Sequence, residues 1–114
     1  MGECILAGHP QGGGVKCGTY TGDGQATRTI SLGITPKWVL VIENHGRIFA
    51  TNYPYGGLAT VGSPVRQTVN YSGNYAVEIV DGGFKIRYEL YGGSSQITLA
   101  TNQEGLTFNY IYGT

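Results

Sequence analysis

The sequence has 114 residues, the size of a single domain, and its formal net charge is zero from seven basic and seven acidic residues. Charged residues make up only 12% of the chain, about half the usual share, and no basic run is present to meet a phosphate backbone. No segment reaches the roughly 18 apolar residues of a membrane-spanning helix, and the N-terminus lacks the features of a signal peptide. We therefore expect one domain over residues 1–114 that has neither nucleic acid nor a membrane as partner.

Short extended segments recur along the chain, each ended by Gly, Asn, Asp or Pro, and no window has the spacing of an amphipathic helix. Glycine-rich turns such as Gly22–Gly24 and Asp81–Gly83 are expected to join neighbouring strands as hairpins. The sequence therefore predicts an all-β fold, an antiparallel and jelly-roll-like β-sandwich with little or no helix. The predicted strands cover roughly residues 3–7, 15–21, 25–32, 37–44, 46–51, 65–71, 74–80, 83–91, 95–101 and 106–112.

The run Trp38–Ile42 is apolar at every position, which predicts a central strand covered on both faces. We expect the side chains of Trp38, Leu40 and Ile42 in the core. With the turn and polar strand before it, this run is expected to build one edge and the centre of the sandwich. Alternation later in the chain predicts a second buried face, formed by Phe84, Ile86, Tyr88 and Leu90.

The two cysteines, Cys4 and Cys17, fall symmetrically about the turn of the first predicted hairpin, so a disulfide between them is within geometric reach. Two buried free thiols are favoured instead, because a protein assembled in the cytoplasm experiences reducing conditions. Together with His9 and His45, the cysteines match no compact zinc spacing. We therefore expect neither a metal site nor a cofactor.

Motifs for catalysis are missing from the sequence. No Gly-x-Ser-x-Gly nucleophile elbow is present, and GHPQGGGVK departs from a phosphate loop because Lys16 is followed by Cys17 rather than Ser or Thr. We find no set of nucleophile, base and orienting residue, so we expect that the protein is not an enzyme. If it were a small hydrolase, its turnover would depend on Glu43, Glu78 or Glu89.

Tyrosine is the most abundant aromatic residue, with nine copies against three Phe and one Trp. Ordinary cross-strand packing accounts for most of them. Tyr53 and Tyr55 differ because they lie beside Asn52 in Thr51–Pro64, the longest stretch without strand alternation, and long loops in compact domains are usually functional. Amphipathic rings suit a sugar or partner surface, so we predict a ligand-binding site at Asn52, Tyr53 and Tyr55.

The segment GTYTGDGQATRTISLGITPKWVLVIE, residues Gly18 to Glu43, places a Gly-x-Tyr-x-Gly-x-Gly turn before a Thr/Ser strand and a Leu-Gly-Ile-x-Pro-Lys-x-Val-x-Val run. Near the end follow GGFKIRY and ITLATNQEGLTFNYIYG. This pattern resembles a module of bacteriophage and prophage tail or fibre proteins of Gram-positive bacteria. The resemblance covers residues 18–113, except that Arg47 to Tyr75 matches nothing in it. Its shared glycines and Pro36 are turn residues, so it carries over no catalytic residue.

The resemblance implies a virion component, assembled in the bacterial cytoplasm, with other virion proteins and copies of itself as partners, often as a homotrimer. The expected function is that of a non-enzymatic structural protein, a tail fibre tip or accessory module, that adheres to a host-surface glycan. The alternative is a bacterial carbohydrate-binding module from a larger secreted enzyme, which predicts a monomer. A small phage hydrolase is the third hypothesis.

Overall fold

The computed structural model describes residues 14–50, 53–67, 73–92 and 94–114, and in these ranges the chain forms strands and turns without a helix. The strands are β1 (Val15–Thr21), β2 (Thr27–Ser31), β3 (Trp38–Glu43), β4 (Gly57–Thr60), β5 (Val65–Arg66), β6 (Tyr75–Val80), β7 (Gly83–Leu90), β8 (Ile97–Ala100) and β9 (Thr107–Gly113). One sheet has the order β1-β9-β3-β4, and the other has the order β2-β7-β6-β5 with β8 beside β7. All pairings are antiparallel, so the predicted all-β sandwich is confirmed. In this part of the chain no helix could cross a membrane.

The first three strands alternate between the two sheets. The turn at Gly22–Gly24, which the glycine pattern predicts as a hairpin, instead carries the chain from β1 in the first sheet to β2 in the second. The reason is that its backbone bonds to the β8–β9 connection: Gly22 N–H donates to the Leu106 carbonyl (2.8 Å) and Gly24 N–H to the Asn102 carbonyl (2.9 Å). The Gln103 carbonyl also occupies the space that a side chain at Gly22 would need. The hairpin prediction is correct at Asp81–Gly83, which joins β6 to β7.

A buried amide fixes this crossing. Asn102 is fully buried, and its Nδ2 donates to Asp23 Oδ1 (2.7 Å) and to the Gln25 carbonyl (3.1 Å). Its Oδ1 accepts from the Asp23 backbone N–H (3.3 Å). A buried polar group is costly unless it is hydrogen-bonded, and this arrangement of the two loops meets that requirement for Asn102.

The phase of β3 is opposite to the prediction. Val39 and Val41 are fully buried between the sheets, whereas Trp38, Leu40 and Ile42 lie half-buried on the outer face of the first sheet. The central position of β3, between β9 and β4, is confirmed. Because both faces of this strand are apolar, the sequence cannot fix its phase, and a shift of one residue exchanges the two faces.

The predicted buried face of β7 is confirmed at the start of the strand and is wrong at its end. Phe84 and Ile86 are fully buried and Tyr88 is half-buried, but Leu90 is 40% exposed. The pairing of β7 with β8 is irregular between Glu89 and Leu90, and the end of β7 therefore leaves the core.

The middle of the chain departs most from the prediction. Of the strand expected over residues 46–51, the described residues 46–50 form no strand, and an isolated bridge joins Phe49 to Pro54. A strand that the pattern misses, β4, lies inside the predicted loop Thr51–Pro64. The strand is short, and it begins at Gly57 with a positive φ of 140°, a conformation that favours glycine. In the sequence, a glycine at this position indicates a turn, and the strand was therefore not predicted. The other predicted strands overlap with observed ones, and the predicted strand 3–7 lies outside the described residues.

The preference for free thiols is wrong for Cys17, which is disulfide-bonded. Cys17 pairs with Ile111 across β1 and β9, on the outer side of the first sheet. The sequence contains one other cysteine, Cys4, which lies outside the described residues.

Replacing Phe108 by Ala is expected to lower the free energy of unfolding by about 3–5 kcal/mol, because this fully buried ring stacks on Tyr20 with centroids 4.9 Å apart and its loss leaves a cavity. Val61→Ala is the control: Val61 is 67% exposed, and its truncation should change stability by about 0.5 kcal/mol or less. Urea denaturation measures both values. Equal losses in the two variants would contradict the burial of Phe108 in the core.

Candidate binding site

The turn after β3 is built around a buried carboxylate. Glu43 is 1% exposed and takes the same inward phase as Val39 and Val41. Its Oε1 accepts hydrogen bonds from the backbone N–H of His45 and from Nε of Arg47, both at 2.9 Å, and its Oε2 lies 2.8 Å from His45 Nδ1. Every oxygen of the carboxylate therefore has a partner, which offsets the cost of burying the charge.

The guanidinium of Arg47 controls the charge of this carboxylate. Its hydrogen bond is the main reason that the pKa of Glu43 falls from the ordinary value of 4.5 to about 2, against the opposing effect of burial, and the bonds from His45 add to it. Glu43 is therefore ionised at neutral pH, and it cannot serve there as a general acid.

The predicted ligand residues Tyr53 and Tyr55 lie against the same guanidinium. Arg47 stands over the Tyr55 ring, 4.2 Å from its centroid, and its Nη1 donates to the Tyr55 hydroxyl at 3.2 Å. The hydroxyls of Tyr53 and Tyr55 are 3.4 Å apart and their rings meet edge to face. Burial, followed by the hydrogen bond to Tyr53, raises the pKa of Tyr55.

The backbone holds these side chains on a narrow ribbon. Tyr55 N–H donates to the Ile48 carbonyl at 2.7 Å, and Ala50 N–H donates to the Tyr53 carbonyl at 2.8 Å. The two arms of the ribbon, residues 47–50 and 53–56, are thereby kept side by side beneath the Arg47 side chain.

The structure brings together two of the three predicted ligand residues. Tyr55 is only 7% exposed beneath Arg47, so its ring has no open face and it supports its neighbours. Tyr53 is half-buried, and His45, in the turn after β3, is exposed. Asn52 lies outside the described residues. The ligand-binding role of this group stays a prediction.

Sequence reasoning did not include Glu43, His45 and Arg47 in this site. The sequence feature that could have indicated them is the alternation Glu-x-His-x-Arg, which begins at the last residue of the central strand. A carboxylate that points into the core at this position requires hydrogen-bond donors nearby. We call the group Glu43, His45, Arg47, Tyr53 and Tyr55 the tyrosine cluster.

A second candidate lies at the β5 edge of the second sheet, where two adjoining clefts share Arg66 and Tyr75. Arg66 and Tyr75 are cross-strand partners, and the guanidinium lies 5.3 Å from the ring centroid. The first cleft, of about 230 Å³, is also lined by Thr60, Gly62, Pro64, Glu78 and Ile79. The second, of about 200 Å³, is also lined by Gln67, Gly73 and Asn74. We call the pair the Arg66 cleft.

The carboxylate of Glu89 fixes one wall of the Arg66 cleft. It accepts hydrogen bonds from Gln67 Nε2 at 2.9 Å, from Asn74 Nδ2 at 2.7 Å and from Thr98 Oγ1 at 3.0 Å. Two residues that line the cleft are thus tied to β7 and β8, which gives this wall a set geometry.

In the described ranges, no three His, Cys, Asp or Glu side chains are close enough together to hold a metal ion. No protein-family model, curated protein or solved structure matches this chain. Its function is therefore inferred from its own residues.

Replacing Glu43 by Gln is expected to lower the free energy of unfolding at neutral pH by about 1.5–3 kcal/mol, the worth of hydrogen bonds to a charged group. Because the pKa of Glu43 is depressed in the folded state, its contribution is fully present above the unfolded value of 4.5 and is lost as the pH falls towards about 2. The difference between the two proteins should therefore shrink over that range.

Urea denaturation at a series of pH values measures this difference. Glu104→Gln, which changes an exposed acid, is the control and should alter stability little at any pH. A constant loss for Glu43→Gln from neutral pH down to about pH 2 would contradict the role of the ionised carboxylate.

Proposed function

We propose that this protein is a non-enzymatic structural protein of a phage or prophage particle, a tail fibre tip or accessory module, that adheres to a glycan on the host surface. The phage-like segment of residues 18–43 supplies the second half of β1 and all of β2 and β3, so the shared pattern coincides with strands on which the sandwich is built. The charge-poor composition, with many Thr, Asn, Tyr and Gly residues, supports the same class.

The observation that carries the adhesion proposal is the tyrosine cluster. Its base is a buried and fully bonded carboxylate, while the side chains of His45 and Arg47 are 75% and 41% exposed. The exposed Arg47 side chain thus lies over the Tyr55 ring, which in turn contacts the ring of the half-buried Tyr53. Hydrogen-bond donors beside an aromatic ring suit sugar hydroxyls and the apolar side of a sugar ring.

The contacts of the three candidate acids favour binding over hydrolysis. Glu43 is held by Arg47 and His45, Glu78 Oε1 lies 3.5 Å from Arg87 Nη1, and Glu89 accepts from three side chains. A glycosidase needs one carboxyl group that can give up a proton and a second that is free to act on water or sugar. Acids engaged in this way suit structural roles.

The outer side of the first sheet supports assembly of several copies. Ile111, Leu40 and Leu58 are cross-strand neighbours in one row, which makes an apolar band across β9, β3 and β4. An apolar, charge-poor band is the kind of surface that homo-oligomers bury.

The alternative function is a carbohydrate-binding module of a larger secreted enzyme. The disulfide at Cys17 favours it, because disulfides form and persist in oxidising environments.

Light scattering during size-exclusion chromatography separates the two functions. We expect a homotrimer of the 12.1 kDa chain, because a fibre component needs its symmetric assembly. A stable monomer at all accessible concentrations would favour the secreted module and would contradict the fibre assignment.

A glycan array tests adhesion. We expect the wild type to bind host-surface glycans, and Tyr53→Ala to weaken binding about tenfold, since a lost stacking contact of roughly 1.4 kcal/mol corresponds to that factor. Tyr91→Ala, which removes an exposed ring from the β7–β8 turn, is the matched control and should bind like the wild type. Tyr55→Ala is unsuitable because Tyr55 is buried.

Two outcomes of the array would count against the proposal. If the wild type binds no glycan, adhesion is wrong. If Tyr53→Ala binds as tightly as the wild type, adhesion stands but the tyrosine cluster does not provide it.

A further inference from the structure

We propose that the Arg66 cleft is a second saccharide site, specific for a sugar that carries a carboxylate, with Arg66 as the residue that binds the acid group. The inference rests on the proposed function only in taking the ligand to be a glycan. The tyrosine cluster is a separate surface, built on the turn after β3 and not on the β5 edge.

The charge of Arg66 is the first reason. Arg28, Arg47 and Arg87 each lie within 4.0 Å of a carboxylate, but in the described part of the chain no carboxylate forms a salt bridge with Arg66. Its guanidinium is instead placed beside the Tyr75 ring. A planar guanidinium presents two parallel donors that match a carboxylate, and stacking on a ring orients this fork without using its donors.

The two clefts suit different parts of an acidic sugar: the second cleft suits the carboxylate, and the first suits the sugar ring. Among the described residues, no carboxylate lines the second cleft, which Arg66 lines together with Gln67 and Asn74. Glu89 behind the wall accepts hydrogen bonds from three uncharged donors, which do not offset the charge of a carboxylate, so Arg66 is the group that would attract an acid here.

The first cleft combines apolar and polar walls. Pro64 and Ile79 offer apolar surface for the C–H face of a sugar ring, while Thr60 and Glu78 offer acceptors for its hydroxyls. Glu78 lies 3.5 Å from Arg87, so its charge is partly balanced and does not cancel that of Arg66. The polar part of this lining is the larger, so the cleft suits a hydroxyl-rich ligand such as a sugar better than an apolar one.

Contacts within the protein hold several of the described lining residues in place. Tyr75 begins β6 and pairs with Arg66, and Glu89 holds Gln67 and Asn74 against β7. Binding therefore costs little ordering of these side chains, which raises the affinity attainable by a small site.

The test is an NMR titration of the isotope-labelled full chain with digalacturonic acid, with its dimethyl ester and with sialyllactose. We expect the acids to shift the amide signals of Arg66, Gly73, Asn74 and Tyr75. The ester should bind roughly tenfold to a hundredfold more weakly, because it loses hydrogen bonds to a charged group. Arg66→Gln should weaken the acids by a similar factor and leave the ester unchanged.

Lys37→Gln is the charge-matched control, because the exposed Lys37 precedes β3 in the other sheet and lines neither cleft, and it should bind the acids like the wild type. Arg66→Lys keeps the charge but loses the fork, and it should recover only part of the affinity. Arg66 is exposed, so the unfolding midpoints of its variants should stay at the wild-type value and show that they are folded.

Each other outcome has a definite meaning. Equal affinity for the acid and its ester, unchanged binding by Arg66→Gln, or no shift with either acid would overturn the inference. If these results appear while the array shows glycan binding that Tyr53→Ala weakens, the proposed function stands and only the second site is wrong. If the acids bind at Arg66 while Tyr53→Ala has no effect, the site is correct and the tyrosine cluster is not the adhesive surface.

Discussion

The structure depends on the insertion of β9 between β1 and β3, which joins the two ends of the described chain in one sheet. The inward rings of β9 then complete the core. Phe108 stacks on Tyr20 of β1, and Tyr110 meets Phe84 of the second sheet edge to face at 5.1 Å. Because these partners are far apart in the sequence, the core can form only after most strands are in place, which is the situation in folds dominated by non-local pairing.

The tyrosine cluster is a consequence of the same pairing. The register places Glu43 opposite Phe108, at the inward end of β3. A shift of one residue would turn the Glu43 carboxylate outward, away from the positions that Arg47 and His45 now satisfy. Burial of this acid thus requires a turn after β3 that brings His45 and Arg47 to the carboxylate. The position of Arg47 then determines that Tyr55 lies beneath its guanidinium. The exposed side chains of His45 and Arg47 are thus held by the buried carboxylate of Glu43.

The sequence predicts the fold class and most strands because alternation and glycine turns are local signals. It could not predict the phase of β3, since Trp38–Ile42 is apolar on both sides, nor the crossing at Gly22–Gly24, because its partner is the distant Asn102. Of the site, it predicted Tyr53 and Tyr55 from the length of the segment between alternating strands. It missed Arg47 and Arg66, because an isolated arginine has no pattern and its role depends on the ring that it meets across the fold.

The low charge of the chain bears on how it would hold a glycan. With few charges to steer a ligand, association depends on diffusion and on short-range contacts between rings, amides and sugar hydroxyls. Such contacts on a small open surface give weak binding at a single site. Copies assembled through the apolar band of β9, β3 and β4 would present several such sites together, and the effective concentration of the second site would then make the attachment firm. Assembly and adhesion are therefore linked in the proposed function. By joining several copies, the outer side of the first sheet would present several of the proposed sugar-binding surfaces at once, each of which alone would bind weakly.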